Sequence, residues 1–245
     1  MLPDETQKAW DCLKSESLLS DATLIGGTAL ALRIRHRLSE DLDFIFTTPQ
    51  LPRIKIDFLV KKMEAQGWSF LRNDNPGAED EFVNAGMNLH DYQQDFILNG
   101  TTKLTFFTAE REARLLLDSS RNEGGPRVAE MGELFDLKAI VSAVRSKTRD
   151  WLDLFILMRD HGYGITDYAQ AFVKAQNVLA FDIGLNRLCS GIPSASDEGY
   201  FSLMENPPEL SEITQFFRIQ RDLYEQKQAE IAQRELYRSG EELTQ

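Results

Sequence analysis

The chain is poor in cysteine, in basic charge and in long apolar runs, and each shortage removes a class of protein. Its 245 residues include two cysteines, Cys12 and Cys189. They lie far apart and neither has a companion at metal-ligand spacing, so neither a disulfide framework nor a cysteine metal centre is expected. Both are read as reduced and mostly buried, which suits a cytosolic compartment. No stretch approaches the roughly 18 uninterrupted apolar residues of a membrane span. The opening MLPDETQKAW lacks the basic and apolar regions of a signal peptide, so no membrane partner is expected. Lys and Arg number 27 against 39 Asp and Glu, a net charge of −12. Such a chain is not a general nucleic-acid binder, because phosphate contacts need Lys and Arg, and any such contact must rest on a local basic patch. Internal repeats and low-complexity segments are also missing. What remains is ordinary globular composition, 42% hydrophobic and 27% charged, in a chain long enough to bury a core without staples.

The hydrophobic patterning alternates between helix and strand. Residues 4–17 have helical patterning anchored by Trp10 and Leu13. Residues 22–25 are a short apolar run ending at Gly26-Gly27, a strand and then a turn. Residues 28–35 read as a helix, and residues 41–46, DLDFIF, as a strand. Pro52 opens a helix that Gly67 stops. Residues 73–80 read as a polar loop and residues 81–107 as antiparallel strands, with Asn99-Gly100 between two apolar runs as a hairpin signal. A helix is expected over 109–118, a loop at SSRNEGGPR, and strong helices over 131–145 and 147–160. Residues 166–235 read as mainly helical. The order implies an α+β protein, a small mixed β-sheet with flanking helices followed by a mainly helical C-terminal region, divided as 1–162 and 163–245.

One constellation lies in LIGGTALALRIRHRLSEDLDFIF, residues 24–46. Side chains at i and i+2 of a strand project from one face, so Asp41 and Asp43 project together while Leu42 and Phe44 turn the other way. Two carboxylates side by side repel unless a cation lies between them. Oxygen-only ligation suits Mg²⁺, which takes a few carboxylates and completes its shell with phosphate oxygens. The Gly26-Gly27-Thr28 turn enters a helix, where glycines let phosphate approach the backbone and the helix N-terminus favours an anion. A phosphate nest and a metal-binding pair one strand apart describe a nucleoside-triphosphate site. RIRHR, residues 33–37, is either a solvated helix end or a patch that holds a polyanionic acceptor. His36 lacks a metal-ligand companion and belongs to that stretch.

GGTALALRIRHRLSEDLDF resembles the glycine–hydroxyl to DxD motif of the nucleotidyltransferase fold, and more narrowly the AbiEii/AbiGii toxin family. Gly26, Gly27, Thr28, Leu30, Arg37, Ser39, Asp41, Leu42, Asp43 and Phe44 match. LFDLKAIVSAVRSKTRDWLDLFIL, residues 134–157, is similar to the family's other signature, a Lys-bearing helix followed by K-x-RD-x-x-DL. The resemblance implies that Asp41 and Asp43 hold Mg²⁺ and that Thr28, within the nucleotide-binding set Gly26, Gly27, Thr28, Arg37 and Ser39, contacts the triphosphate. It implies that Lys138 reaches the nucleotide phosphates and that Asp150 is a polar site residue orienting Lys138 or Arg149. Lys138 and Arg145 share a helix face, as do Asp150 and Asp153, and Arg149 and Asp153 form an i,i+4 pair. Read as structure alone, these charges are helix ion pairs.

The implied activity is transfer of a nucleoside monophosphate from an NTP to an acceptor, with tRNA or another RNA as one acceptor and a cognate antitoxin protein as a partner. The alternative is a degenerate fold that holds a nucleotide or a protein without catalysis. A kinase built from the same elements is a third reading.

The chain departs from the pattern at one place. The fold commonly carries a third carboxylate on a later strand, and the matching position in KLTFF is Thr105. Asp95, on the hairpin partner, is the candidate substitute. A two-residue turn pairs Asp95 with Leu104 and turns it away from Thr105, whereas a three-residue loop sets Asp95 opposite Thr105. Lys103 shares a face with Thr105 and would add positive charge.

Overall fold

The computed structural model describes the backbone of residues 1–242 and the side chains of residues 1–234; the last residues of the expected 163–245 region lie outside the described residues. The backbone forms two compact units, Met1–Leu137 and Lys138–Gln245.

The first unit is built on a six-stranded sheet. Helix α1 (Asp4–Leu13) buries Ala9, Trp10 and Leu13, and leads to β1 (Ala22–Ile25), α2 (Gly26–Ile34) and β2 (Leu42–Phe46). Helix α3 (Arg53–Ala65) follows Pro52 and ends before Gly67, whose φ of +94° breaks the helix. Next come β3 (Phe70–Arg72), α4 (Pro76–Asn84), β4 (Gln93–Leu98), β5 (Thr102–Thr108), α5 (Arg111–Leu116), β6 (Arg127–Val128) and the start of α6 (Met131–Val144). The strand order is β3-β4-β5-β2-β1-β6, with β2–β5 and β1–β6 parallel and the other pairs antiparallel.

Alternation sorts the sheet into two faces. Leu24, Leu42, Phe44, Phe46, Phe96, Leu98, Leu104 and Phe106 are all buried and fill one face. Phe106 meets Phe44, Phe46 and Phe96 with ring centroids 5.7, 6.4 and 6.2 Å away. Aromatic contacts of this kind make truncation of such a ring cost roughly 3–5 kcal/mol. The intervening residues, among them Asp43, Asp95, Lys103 and Thr105, belong to the opposite face.

Three expectations are corrected here. Residues 76–84 are helix α4, where a loop and then a strand were expected. Pro76 starts the helix and Asn75 caps it by accepting from the N–H groups of Gly77 and Ala78. It buries none of its residues, so its sequence carries no apolar stripe. The loop SSRNEGGPR ends in β6, which pairs with β1 at Thr23 and Leu24. Residues 70–72 form an edge strand, β3, beside β4.

The second unit is helical. Helices α7 (Thr148–Asp160), α8 (Ile165–Lys174), α9 (Ala180–Ser190) and α10 (Leu210–Glu242) surround buried Trp151, Phe155, Tyr168, Phe172 and Phe217. Gly184 allows α9 to approach α6: a Cβ there would lie 2.3 Å from the Tyr168 hydroxyl and 2.8 Å from Ser142 Oγ. That hydroxyl bonds Ser142 Oγ at 2.7 Å, and burial pushes the tyrosine's pKa up. Asp197 holds the start of α7, accepting from the Thr148 N–H at 3.0 Å and its hydroxyl at 2.7 Å.

Candidate active site

In the first unit the β1–α2 turn, the chain entering β2 and the β4–β5 hairpin converge. Gly26 opens α2 with φ +75°, and a Cβ on it would lie 2.9 Å from Asp43 Oδ2. A side chain at position 26 would therefore press on one of the two carboxylates. Gly27 is needed for a different reason: a Cβ there would come within 2.6 Å of Arg37 Nη2 and 2.8 Å of Ser39 Oγ. The missing side chains let Arg37, Ser39 and Asp43 crowd around the first turn of α2, whose leading N–H groups have no partner within the helix.

Thr28 is buried, 1% exposed. Its hydroxyl donates to the Asp41 carbonyl oxygen and hydrogen-bonds Ser39 Oγ at 2.9 Å. This bond pins the backbone of the first aspartate to α2. Leu42 and Phe44 are fully buried while Asp41 and Asp43 are half-buried. Both carboxylates thus lie away from the apolar face, at the edge of the core.

The RIRHR stretch is not one basic surface. Arg33 Nε and Nη2 donate to the carbonyls of Ala129 and Val128 at 2.6 and 3.0 Å, and Arg33 pairs with Glu130 at 2.9 Å. Arg37 is 4% exposed and donates to the Leu38 carbonyl at 2.9 Å. Arg35, which ends α2 at φ +52°, is the exposed arginine of the three. Two of the three guanidinium groups thus hold the fold around α2.

The hairpin resolves the position of Asp95. Leu98 pairs with Thr102, leaving Asn99, Gly100 and Thr101 as a three-residue loop. Asn99 and Gly100 take φ of +47° and +75°. The register therefore sets Asp95 opposite Thr105, and Thr105 opposite Asp43. Thr105 Oγ1 donates to Asp95 Oδ1 at 2.7 Å. Asp95, Thr105 and Asp43 form one row across three adjacent strands, on one face.

In the second unit Lys138, on α6, is held between two aspartates of α7. Its Nζ is 2.6 Å from Asp150 Oδ1 and 2.7 Å from Asp153 Oδ2, with the two aspartate side chains 2% and 0% exposed. Arg145 Nε reaches Asp150 Oδ2 at 2.8 Å. Burial acts to raise the pKa of Asp150, but Lys138 and Arg145 outweigh it and hold the carboxyl below the usual aspartate range. Asp150 orients Lys138 and Arg145, while Arg149 pairs with Glu198 at 3.2 Å and donates to the Gly199 carbonyl at 3.0 Å. Asp153 shares the aspartate face of α7 and is the second anchor of Lys138.

Among the described residues no group of three or more His, Cys, Asp or Glu side chains could hold a metal ion. The fit to a divalent cation therefore rests on the Asp41–Asp43 pair. Both residues are half-buried hard-oxygen donors, and Asp43 Oδ2 lies beside the start of α2, which matches an ion that takes two carboxylates and completes its shell with phosphate and water.

The chain belongs to the AbiEii nucleotidyl transferase toxin family, assigned to type IV toxin–antitoxin systems, whose family model matches residues 9–233. An uncharacterised protein of Aquifex aeolicus is 28% identical over 220 residues, covering 89% of this chain and 94% of that protein. Two solved structures share the fold. MenT4, a nucleotidyltransferase toxin from Mycobacterium tuberculosis H37Rv, has a TM-score of 0.52 at 14% identity over 83% of this chain and 76% of its own. JHP933 from Helicobacter pylori has a TM-score of 0.50 at 17% identity over 96% and 100%. The nucleotidyltransferase fold and the toxin family read from the GGT and DLDF motifs are those found. No helix among the described residues is long and apolar enough to cross a membrane.

Proposed function

We propose that the protein is a Mg²⁺-dependent transferase that moves a nucleoside monophosphate from an NTP to a hydroxyl-bearing acceptor, with RNA, tRNA first, as the acceptor to test. The observation that carries this reading is the meeting of the Asp43 carboxylate with the bare start of α2, where Gly26 leaves room for Asp43 and Gly27 for Arg37 and Ser39, while Thr28 ties the Asp41 backbone to the same turn. Asp41 and Asp43 would hold the cation, which when bound would polarise the α-phosphate and acidify the acceptor hydroxyl.

This chain's own residues supply the rest. The N–H groups at the start of α2 bind phosphate oxygens, with Gly26 and Gly27 permitting the approach. Arg37 and Ser39 line that turn. Thr28 acts through the backbone, fixing the Asp41 carbonyl and hence the direction of the aspartate pair. Lys138 is the phosphate-directed cation of the family signature, and Asp150 and Asp153 fix its ammonium. Membership of a toxin–antitoxin family supports a cognate antitoxin as protein partner.

The test is transfer of label from α-phosphate-labelled NTPs, one base at a time, to total RNA with Mg²⁺, beside Asp43→Ala. Label on an RNA band that the variant loses supports the reading. No label with any NTP, from a protein that still binds nucleotide, favours a nucleotide-binding module.

A further inference from the structure

Asp95 is a buried carboxylate with no cation beside it. It is 5% exposed. Its side-chain oxygens accept from two neutral donors, Thr105 Oγ1 on Oδ1 and Gln93 Nε2 on Oδ2, each at 2.7 Å, and it has no ion pair among the described residues. Its backbone N–H donates at 2.9 Å to another carboxylate, Asp74 Oδ1. Asp74 is itself occupied: His90 Nε2 lies 2.9 Å and Arg72 Nη1 3.5 Å from its Oδ2.

Burying an ionised carboxylate is costly unless a charge or a full set of donors compensates it. Keeping one in the same row as Asp43 maintains negative potential on the face that carries the aspartate pair. Neighbouring strands are about 4.8 Å apart, so Asp95 stands about two strand spacings from Asp43, too far to ligate the same ion. Thr105 lies between them in the register. Its hydroxyl has one proton, and that proton goes to Asp95. Towards Asp43 its oxygen can only accept, which suits an O–H donor such as water on a cation.

We propose that Asp95, acting through Thr105, is a positioning residue for a divalent cation held by Asp41 and Asp43. The third carboxylate has moved one strand outward, and a threonine hydroxyl transmits its charge and orientation. This inference rests on the metal reading of the aspartate pair.

The test measures Mn²⁺ binding to the full chain by electron paramagnetic resonance, with and without a non-hydrolysable NTP analogue. Asp43→Ala should abolish binding. Asp95→Asn and Thr105→Val should each weaken it roughly tenfold or more, and Thr105→Ser should stay within about twofold of wild type, as expected for partners behind a metal ligand. Melting of the metal-free proteins separates this role from a structural one. Asp95→Asn should melt close to wild type, because the amide oxygen can still accept from Thr105 Oγ1.

Unchanged Mn²⁺ affinity in Asp95→Asn, while Asp43→Ala loses it, overturns this inference and leaves the metal reading standing. A loss of affinity accompanied by a matching loss of metal-free stability also overturns it, since Asp95 would then be structural. Wild-type protein that takes up no Mn²⁺ under either condition overturns the metal reading and this inference with it.

Discussion

Lys138→Met tests whether the second cluster is held together by charge. The side chain is nearly isosteric without its ammonium, so the substitution leaves Asp150 and Asp153 facing a thioether while both stay buried. Removing one partner of a buried ion pair costs about 3–5 kcal/mol, chiefly because the remaining charge is left uncompensated. Arg145 still reaches Asp150 at 2.8 Å, but its side chain is 55% exposed, so water screens that pair. Asp153 loses the ammonium 2.7 Å away. The loss should fall near the lower end, about 3 kcal/mol, or about 10 °C in melting temperature for a chain of this size. Far-UV circular dichroism of melting reads it directly. The double variant Lys138→Met/Asp153→Asn should recover part of the loss, because it removes a buried carboxylate that has lost the ammonium 2.7 Å away, and the coupling is measured by the double-mutant cycle. A variant that melts within about 2 °C of wild type at neutral pH would refute the reasoning and show the cluster to be ordinary surface pairing.

Other consequences follow from single contacts. Thr28→Val removes the donor to the Asp41 carbonyl and should cost about 1–3 kcal/mol and most of the transferase activity. Thr28→Ser should keep both, checked by paired melts and label transfer. Gly27→Ala drives a methyl against Arg37 and Ser39, which are 4% and 8% exposed, and should cost roughly 1–3 kcal/mol with loss of NTP affinity, read by calorimetry. Asp150 contributes to the pH dependence of stability. Its folded pKa is depressed, so its stabilisation is fully present above the unfolded value of 3.8 and is lost as pH falls through the lower folded pKa. The acid limb of a stability-against-pH curve should be shallower in Asp150→Asn than in wild type.

The parts of the site legible in the sequence are those where local pattern and chemistry coincide. Ala22–Ile25, the glycine pair and DLDF give β1, α2 and β2 because a strand, a left-handed glycine and an i,i+2 acid pair each leave a short-range mark. Helix α7 is equally plain, since its largely apolar run, buried from Trp151 to Met158, ends at Gly162. Helix α4 was not legible because its stabilisation is a cap and a proline rather than an apolar face. Strands β3 and β6 are three and two residues long, too short to show alternation. The partner of Asp95 depended on one residue of loop length, and Asn-Gly fits either loop until the register is known. The destination of Arg33 was hidden for another reason: its acceptors, Val128 and Ala129, are carbonyls 95 and 96 residues away. Basic residues in a row look like a surface patch until the groups that consume them are in place.

The central claim is that Asp41 and Asp43 support transfer of a nucleoside monophosphate. The most direct measurement follows α-labelled and γ-labelled NTP in parallel, with wild type and Asp43→Ala and total RNA as acceptor. The account predicts α-label on the acceptor, γ-label released in pyrophosphate, and neither event with Asp43→Ala. Label from the γ-phosphate on the acceptor, or α-label transfer that survives Asp43→Ala, would contradict it.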